Sequence, residues 1–81
     1  MIPSERHLRA ARALAGLSQE DLAKLAKVGI ATIKRMESFG GLIGLHATTT
    51  RKVEEALKTA GVVLTKDGVS MKLNQSDEEV E

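Results

Sequence analysis

Two helix starts placed close together constrain this chain more than any other feature of its sequence. The run Leu17-Ser18-Gln19-Glu20-Asp21-Leu22 supplies a serine N-cap whose hydroxyl can accept from the Asp21 amide. Leu17 and Leu22 flank it at the two positions of a hydrophobic staple. A second start follows at Gly29, with Val28 and Ile33 again at staple positions. Only a short helix fits between the two. The spacing predicts helices over 19–26 and 30–38 joined by a tight turn, the second ended by Gly40-Gly41. Leu22, Ala23 and Ala26, then Ile33 and Met36, give these helices an inward stripe, while Lys34 and Arg35 point elsewhere.

The rest of the chain supplies the scaffold around that pair. Ser4 caps a helix over about 4–15, in which Leu8, Ala11, Arg12 and Ala15 recur at helical spacing before Gly16. Residues 38–47 hold three glycines with Leu42, Ile43 and Leu45, a pattern too apolar for a free linker and too broken for a helix. They are expected to pack on the core as an ordered loop. Thr48 or Thr49 can cap a fourth helix, with Val53, Ala56, Leu57 and Ala60 buried and Gly61 as its stop. After Gly61 the hydrophobic period changes from 3.6 to 2, which predicts a hairpin over 62–73 turning at Asp67-Gly68. That turn sets Leu64 opposite Met71 and Val62 opposite Leu73. A lone hairpin is marginal in water, so its apolar face must lie on the helices or on another chain.

Composition narrows the function. Phe39 is the only aromatic residue, so ten Leu and ten Ala must build most of the core. At 81 residues a deep substrate cavity would compete with that core for the same side chains. The net charge of +1 is an average of two unlike parts. Residues 1–73 carry twelve basic and seven acidic side chains, and Asp77, Glu78, Glu79 and Glu81 hold the remaining four acids. The division predicts a folded domain over 1–73 and a disordered acidic tail over 74–81, which either aids solubility or competes for the basic surface. No cysteine is present, so disulfides and thiolate metal sites are excluded. No apolar run approaches the ~20 residues of a membrane helix, and a cytoplasmic protein is expected. His7 and His46 stand alone and are expected at the surface. No catalytic set assembles, so the expectation is a non-enzyme without metal, cofactor, small-molecule ligand or membrane partner.

Two short helices with a tight turn, the second bearing adjacent Lys and Arg, make a helix-turn-helix candidate. Three runs sharpen it: Leu8-Arg9-Ala10-Ala11-Arg12, then Gly16-Leu17-Ser18-Gln19-Glu20-Asp21-Leu22-Ala23, then Thr32-Ile33-Lys34-Arg35-Met36-Glu37. Together they resemble the Xre/Cro-repressor family, the lambda-repressor-like helix-turn-helix regulators of phages and bacteria, over about residues 6–61. The resemblance implies a mainly α fold, a lambda-repressor-like bundle of about four helices, here with a C-terminal β-hairpin. It implies double-stranded DNA as partner and a homodimer on a palindromic operator.

Residue by residue, the resemblance places Ile30, Ala31 and Arg35 at base edges. It places Ser18, Gln19, Lys27 and Lys34 at phosphates, and Arg12 with Glu37 in a structural ion pair. Arg35 can pair bidentately with guanine, a contact worth roughly 1–3 kcal/mol of discrimination. Ile30 and Ala31 have only apolar contact with a thymine methyl to offer. The chain departs from the family pattern at three places. Lys27 stands where the turn usually has glycine, Gly29 replaces the usual Ser or Thr, and the hairpin replaces a further short helix. The hairpin makes Val69, Met71 and Leu73 a possible dimer interface. The rival reading is a protein-interaction module on the same fold, an antitoxin or antiactivator, with a protein partner in place of operator DNA.

Overall fold

A computed structural model describes residues 2–71 of the chain. Four helices lead into one antiparallel hairpin: α1 Glu5–Ala15, α2 Gln19–Ala26, α3 Ile30–Met36, α4 Ala47–Thr59, β1 Val62–Thr65 and β2 Gly68–Met71. The fold is therefore mainly helical with a C-terminal hairpin, as the sequence predicts. Leu73 and the acidic segment 74–81 lie outside the described residues.

The helix ends follow from local chemistry. Ser4 is extended, and its hydroxyl accepts from the His7 amide at 3.2 Å to open α1. Gly16, at φ +73°, closes α1, and the Leu17 amide reaches back to the Arg12 carbonyl at 3.1 Å. α2 opens on a complete capping box. Ser18 Oγ accepts from the Asp21 amide at 2.9 Å, and Asp21 Oδ2 accepts from the Ser18 amide at 3.1 Å. The hydrogen bond from the Ser18 backbone, with that from its side chain second, holds the Asp21 carboxyl below the usual aspartate range. Lys27 ends α2 at φ +61°, the only left-handed residue other than glycine among those described. The Val28 amide then reaches the Ala23 carbonyl at 3.0 Å, closing the turn.

Two boundaries differ from expectation. α3 stops at Met36 rather than at 38, because the chain doubles back over its end. Gly41 packs so close to the last turn that a Cβ there would lie 1.6 Å from the Arg35 carbonyl oxygen. α4 begins at Ala47, ahead of the threonines expected to cap it, with His46 in the N-cap position. The threonine hydroxyls do not cap: Thr50 Oγ1 donates back to the His46 carbonyl at 3.2 Å, a bond made inside the first turn.

Leu8, Ala11, Leu22, Ala23, Ala26, Ile33, Met36, Val53, Ala56, Leu57 and Val62 form the core, joined by Ile2. Leu17 and Val28 pack half-buried at its margin, as do Leu42 and Leu45 from the loop 37–46. That loop is packed down as predicted, but Phe39 and Ile43 project from it and are exposed. The single aromatic side chain thus contributes nothing to the core.

The hairpin corrects the expected register. Val62 pairs with Met71, Val63 with Ser70, Leu64 with Val69 and Thr65 with Gly68, so the turn is Lys66-Asp67 and not Asp67-Gly68. Neither turn residue has positive φ, and the left-handed geometry for which Asp-Gly is favoured is not used. Instead the register sets the two aliphatic side chains of Leu64 and Val69 directly opposite each other, where both pack on the core. The slip keeps the parity of the strands, so Val62, Leu64, Val69 and Met71 still share one face. The hairpin lays that face on α1 and α4 of its own chain. The hairpin turn also stands beside the start of α1, where His7, expected at the surface, is partly buried. His7 is half-buried beside Gly68 and Val69, with Nδ1 2.7 Å from Ser4 Oγ and Nε2 buried without a hydrogen-bond partner.

Candidate nucleic-acid interface

Seven residues make α3, and packing divides them cleanly between two sides. Ile33 and Met36 are fully buried and fasten the helix from behind. Ile30, Ala31, Lys34 and Arg35 are exposed on the outside, with Ile30 41% exposed. Ile30 and Lys34 stand four apart, as do Ala31 and Arg35, so these four side chains make one continuous outer face. Lys27 is exposed at the turn that leads into it.

The far end of α3 is fixed by a buried carboxylate. Glu37, 6% exposed, caps the helix and gathers groups from two other elements. Arg12 Nε donates to its Oε2 at 2.6 Å and Arg12 Nη2 to its Oε1 at 3.0 Å, a fork-to-fork pair from α1. Gln19 Nε2, from the first turn of α2, donates to the same Oε1 at 3.0 Å. Arg9 Nη1 donates to the Glu37 backbone carbonyl at 2.6 Å. Arg12 Nη1 also reaches the Leu17 carbonyl at 3.0 Å, which ties the loop before α2 into the same network. The hydrogen bond to Glu37 raises the Arg12 pKa above its ordinary value, so the guanidinium keeps its charge.

This network places Gln19 differently from a free phosphate ligand. One amide hydrogen is committed to Glu37, leaving the second N–H and the side-chain carbonyl for an outside partner. Ser18 Oγ accepts from the Asp21 amide within the capping box, and its hydroxyl also favours the charged Asp21 carboxylate. The Gln19–Glu37 and Arg9–Glu37 bonds span eighteen and twenty-eight residues and carry no periodic signal in the sequence. Arg9 stands three residues before Arg12 on α1, and that spacing is the one hint that both arginines serve the same acceptor.

The outer face is basic and uncompensated. From Leu22 to Met36 the chain carries Lys24, Lys27, Lys34 and Arg35 and no acid. Lys24 reaches Glu20 only at 4.0 Å, with both side chains exposed. Among the described residues no carboxylate pairs with Lys27, Lys34 or Arg35. The hairpin residues Val69 and Met71 belong to a different part of the molecule, packed on α1. Val69 is half-buried against its own core and Met71 is 47% exposed. No group of His, Asp and Glu that could hold a metal ion occurs among the described residues, and no described helix is long and apolar enough to cross a membrane.

A family model for the helix-turn-helix domain matches residues 6–65, well over half of the 81. No curated protein and no solved structure matches the chain.

Proposed function

The chain belongs to the helix-turn-helix domain family, and we propose that it is a sequence-specific DNA-binding transcriptional regulator of the Xre/Cro, lambda-repressor-like type. It acts as a homodimer on a palindromic operator, as a repressor or dual regulator of the kind found in phages and mobile elements. The observation that carries this reading is the outer face of α3. It is short, exposed and basic, without partners for its cations, and it is held from behind by Ile33, Met36 and Glu37. A helix fastened on one side and free on the other is suited to enter a major groove without losing its mounting.

In that groove Arg35 pairs with a guanine edge, while Ile30 and Ala31 lie against thymine methyl groups. Lys27 and Lys34 hold phosphates on either side. Ser18 and Gln19, at the N-terminus of α2, hold a further phosphate, Gln19 through its free amide N–H. Phosphate contacts set position and salt dependence, and Arg35 carries most of the sequence preference.

Selection of bound duplexes from random DNA tests the reading. The expected product is a palindrome whose half-sites lie about one helical turn, ~34 Å, apart. Absence of any enriched sequence, together with binding that does not weaken as salt rises, would overturn it. The dimer contact is tested separately by sedimentation of Met71→Asp. Loss of the dimer supports the exposed hairpin edge as the interface, and an unchanged dimer removes it.

The exposed Ile30, with Phe39 and Ile43 on the following loop, favours a second reading as a protein-interaction module, an antitoxin or antiactivator. Arg35→Ala separates the two. It abolishes sequence-specific retardation of DNA under the first and leaves capture of a protein partner nearly intact under the second if the partner contacts lie on the hairpin.

A further inference from the structure

The outer face of α3 has the chemistry to hold an acidic peptide, and the chain contains one. Lys24, Lys27, Lys34 and Arg35 are all exposed. Glu37 turns inward to Arg12, and Glu20 and Asp21 act on Lys24, so Lys27, Lys34 and Arg35 are the cations here without a carboxylate partner among the described residues. Ile30 adds an exposed aliphatic side chain to the same face. Beyond the hairpin the sequence runs to Asp77-Glu78-Glu79-Val80-Glu81, four carboxylates around one aliphatic residue. The match is of kind as well as sign: carboxylates for the cations, and Val80 for Ile30. Residues 72–76 join Met71 to this segment and span up to ~20 Å when extended.

We infer that the segment 77–81 docks on the Lys27–Arg35 face and excludes DNA from it. The docking contact stands on charge complementarity alone, while its consequence for DNA rests on the function proposed above. A covalently attached ligand acts at millimolar effective concentration, so four weak ion pairs suffice to populate the contact at low salt. If docking and DNA binding are mutually exclusive, affinity for every DNA falls by the fraction of molecules whose face is open. The segment therefore sets how much protein is needed to fill a site and leaves sequence preference unchanged. Because the contact is an exposed electrostatic one, it weakens as salt rises.

The test compares the full chain with the variant D77N/E78Q/E79Q/E81Q, both isotopically labelled. Backbone amide NMR shifts are recorded at about 0.01 M and about 1 M salt, where the Debye length is ~30 Å and ~3 Å. Differences between the two proteins are expected across residues 24–36 at low salt and are expected to vanish at high salt. The variant is also expected to bind random-sequence duplex DNA about three- to tenfold more tightly at low salt. Shift differences confined to the neighbours of the substituted residues overturn the inference. So do differences that cluster instead on the groove of about 470 Å³ between α2 and α4, beside Leu25, Arg51, Lys52 and Ala56. The two proposals fail differently. Differences on α3 without DNA binding by either protein leave the docking contact standing and remove the DNA reading. Coincident spectra with equal DNA affinity remove the contact and leave the DNA reading standing.

Discussion

Arg12 Nε lies 2.6 Å from Glu37 Oε2, and the carboxylate side chain is only 4% exposed. The contact joins the middle of α1 to the residue that ends α3, so the orientation of the outer helix is set from a different element. Arg12 is 22% exposed, which leaves its far side in contact with solvent. Of the pair, Glu37 is the partner that could not tolerate being left alone.

Removing one side of this pair is expected to cost more than removing both. Arg12→Met alone leaves Glu37 buried with only the Gln19 amide on its carboxylate and should destabilise the fold by about 2–3 kcal/mol. The double variant Arg12→Met/Glu37→Met should recover most of that loss, because a buried pair replaced by apolar side chains is often near neutral. Denaturant unfolding of the single and double variants measures the difference. Equal losses in both would show that the pair does not couple the two helices.

Lys27 should trade stability against binding. Its left-handed backbone, φ +61°, costs a residue with a Cβ roughly 1 kcal/mol, and Lys27→Gly should return about that amount. The same change removes a cation beside α3. The log–log salt slope of DNA binding should therefore become shallower by about 0.9. Paired measurements of unfolding and of binding across a salt series check both halves. A slope that does not move would take Lys27 off the phosphate backbone.

Gly40 and Gly41 are adjacent and should respond to alanine for different reasons. At Gly41 the new Cβ would fall 1.6 Å from the Arg35 carbonyl oxygen, a backbone atom that cannot yield without bending α3. Gly41→Ala should cost about 3 kcal/mol and should also weaken DNA binding, since Arg35 moves with its carbonyl. Gly40 faces open space at φ +73°, so Gly40→Ala should cost only the left-handed penalty, about 1 kcal/mol. Thermal unfolding ranks the two, and a reversed order would refute the close approach.

The capping box of α2 should appear in the acid limb of stability. The Asp21 carboxyl titrates below its unfolded value because the Ser18 amide and hydroxyl favour its charged form. A lowered folded pKa contributes stability that is complete above the unfolded pKa and is lost as pH falls through the folded one. Asp21→Asn should therefore melt lower near neutrality and converge with the parent protein as pH falls toward about 2. Parallel melting curves across that range would mean that the carboxylate charge contributes nothing.

The parts of the fold legible in the sequence are those written locally. The capping box at Ser18, the stop at Gly16 and the staple around Gly29 each involve residues within a few positions of one another. The hydrophobic stripes found the core for the same reason. What escaped was decided by contacts made at a distance. Thr48 and Thr49 look like caps, yet the incoming loop starts α4 at Ala47, and Thr50 bonds inside the first turn. Asp67-Gly68 looks like the turn, yet the pairing of Leu64 with Val69 over α1 moves it to Lys66-Asp67. His7 looks like a surface residue, yet it is partly buried beside the hairpin turn. At the interface, the outward side of α3 follows from periodicity alone. The convergence of Arg9 and Gln19 on Glu37 does not, because it joins three elements that local rules treat separately.

The two-sided build of α3 also bears on how such a protein could change its target. The side chains at positions 30, 31, 34 and 35 are exposed, whereas those at 33, 36 and 37 are buried and fasten the helix. A library randomised at the four outward positions should consist largely of folded proteins that differ in what they recognise. Under the proposed function the molecule is a fixed mount with an interchangeable reading head, and a change of specificity there should need no repair of the core.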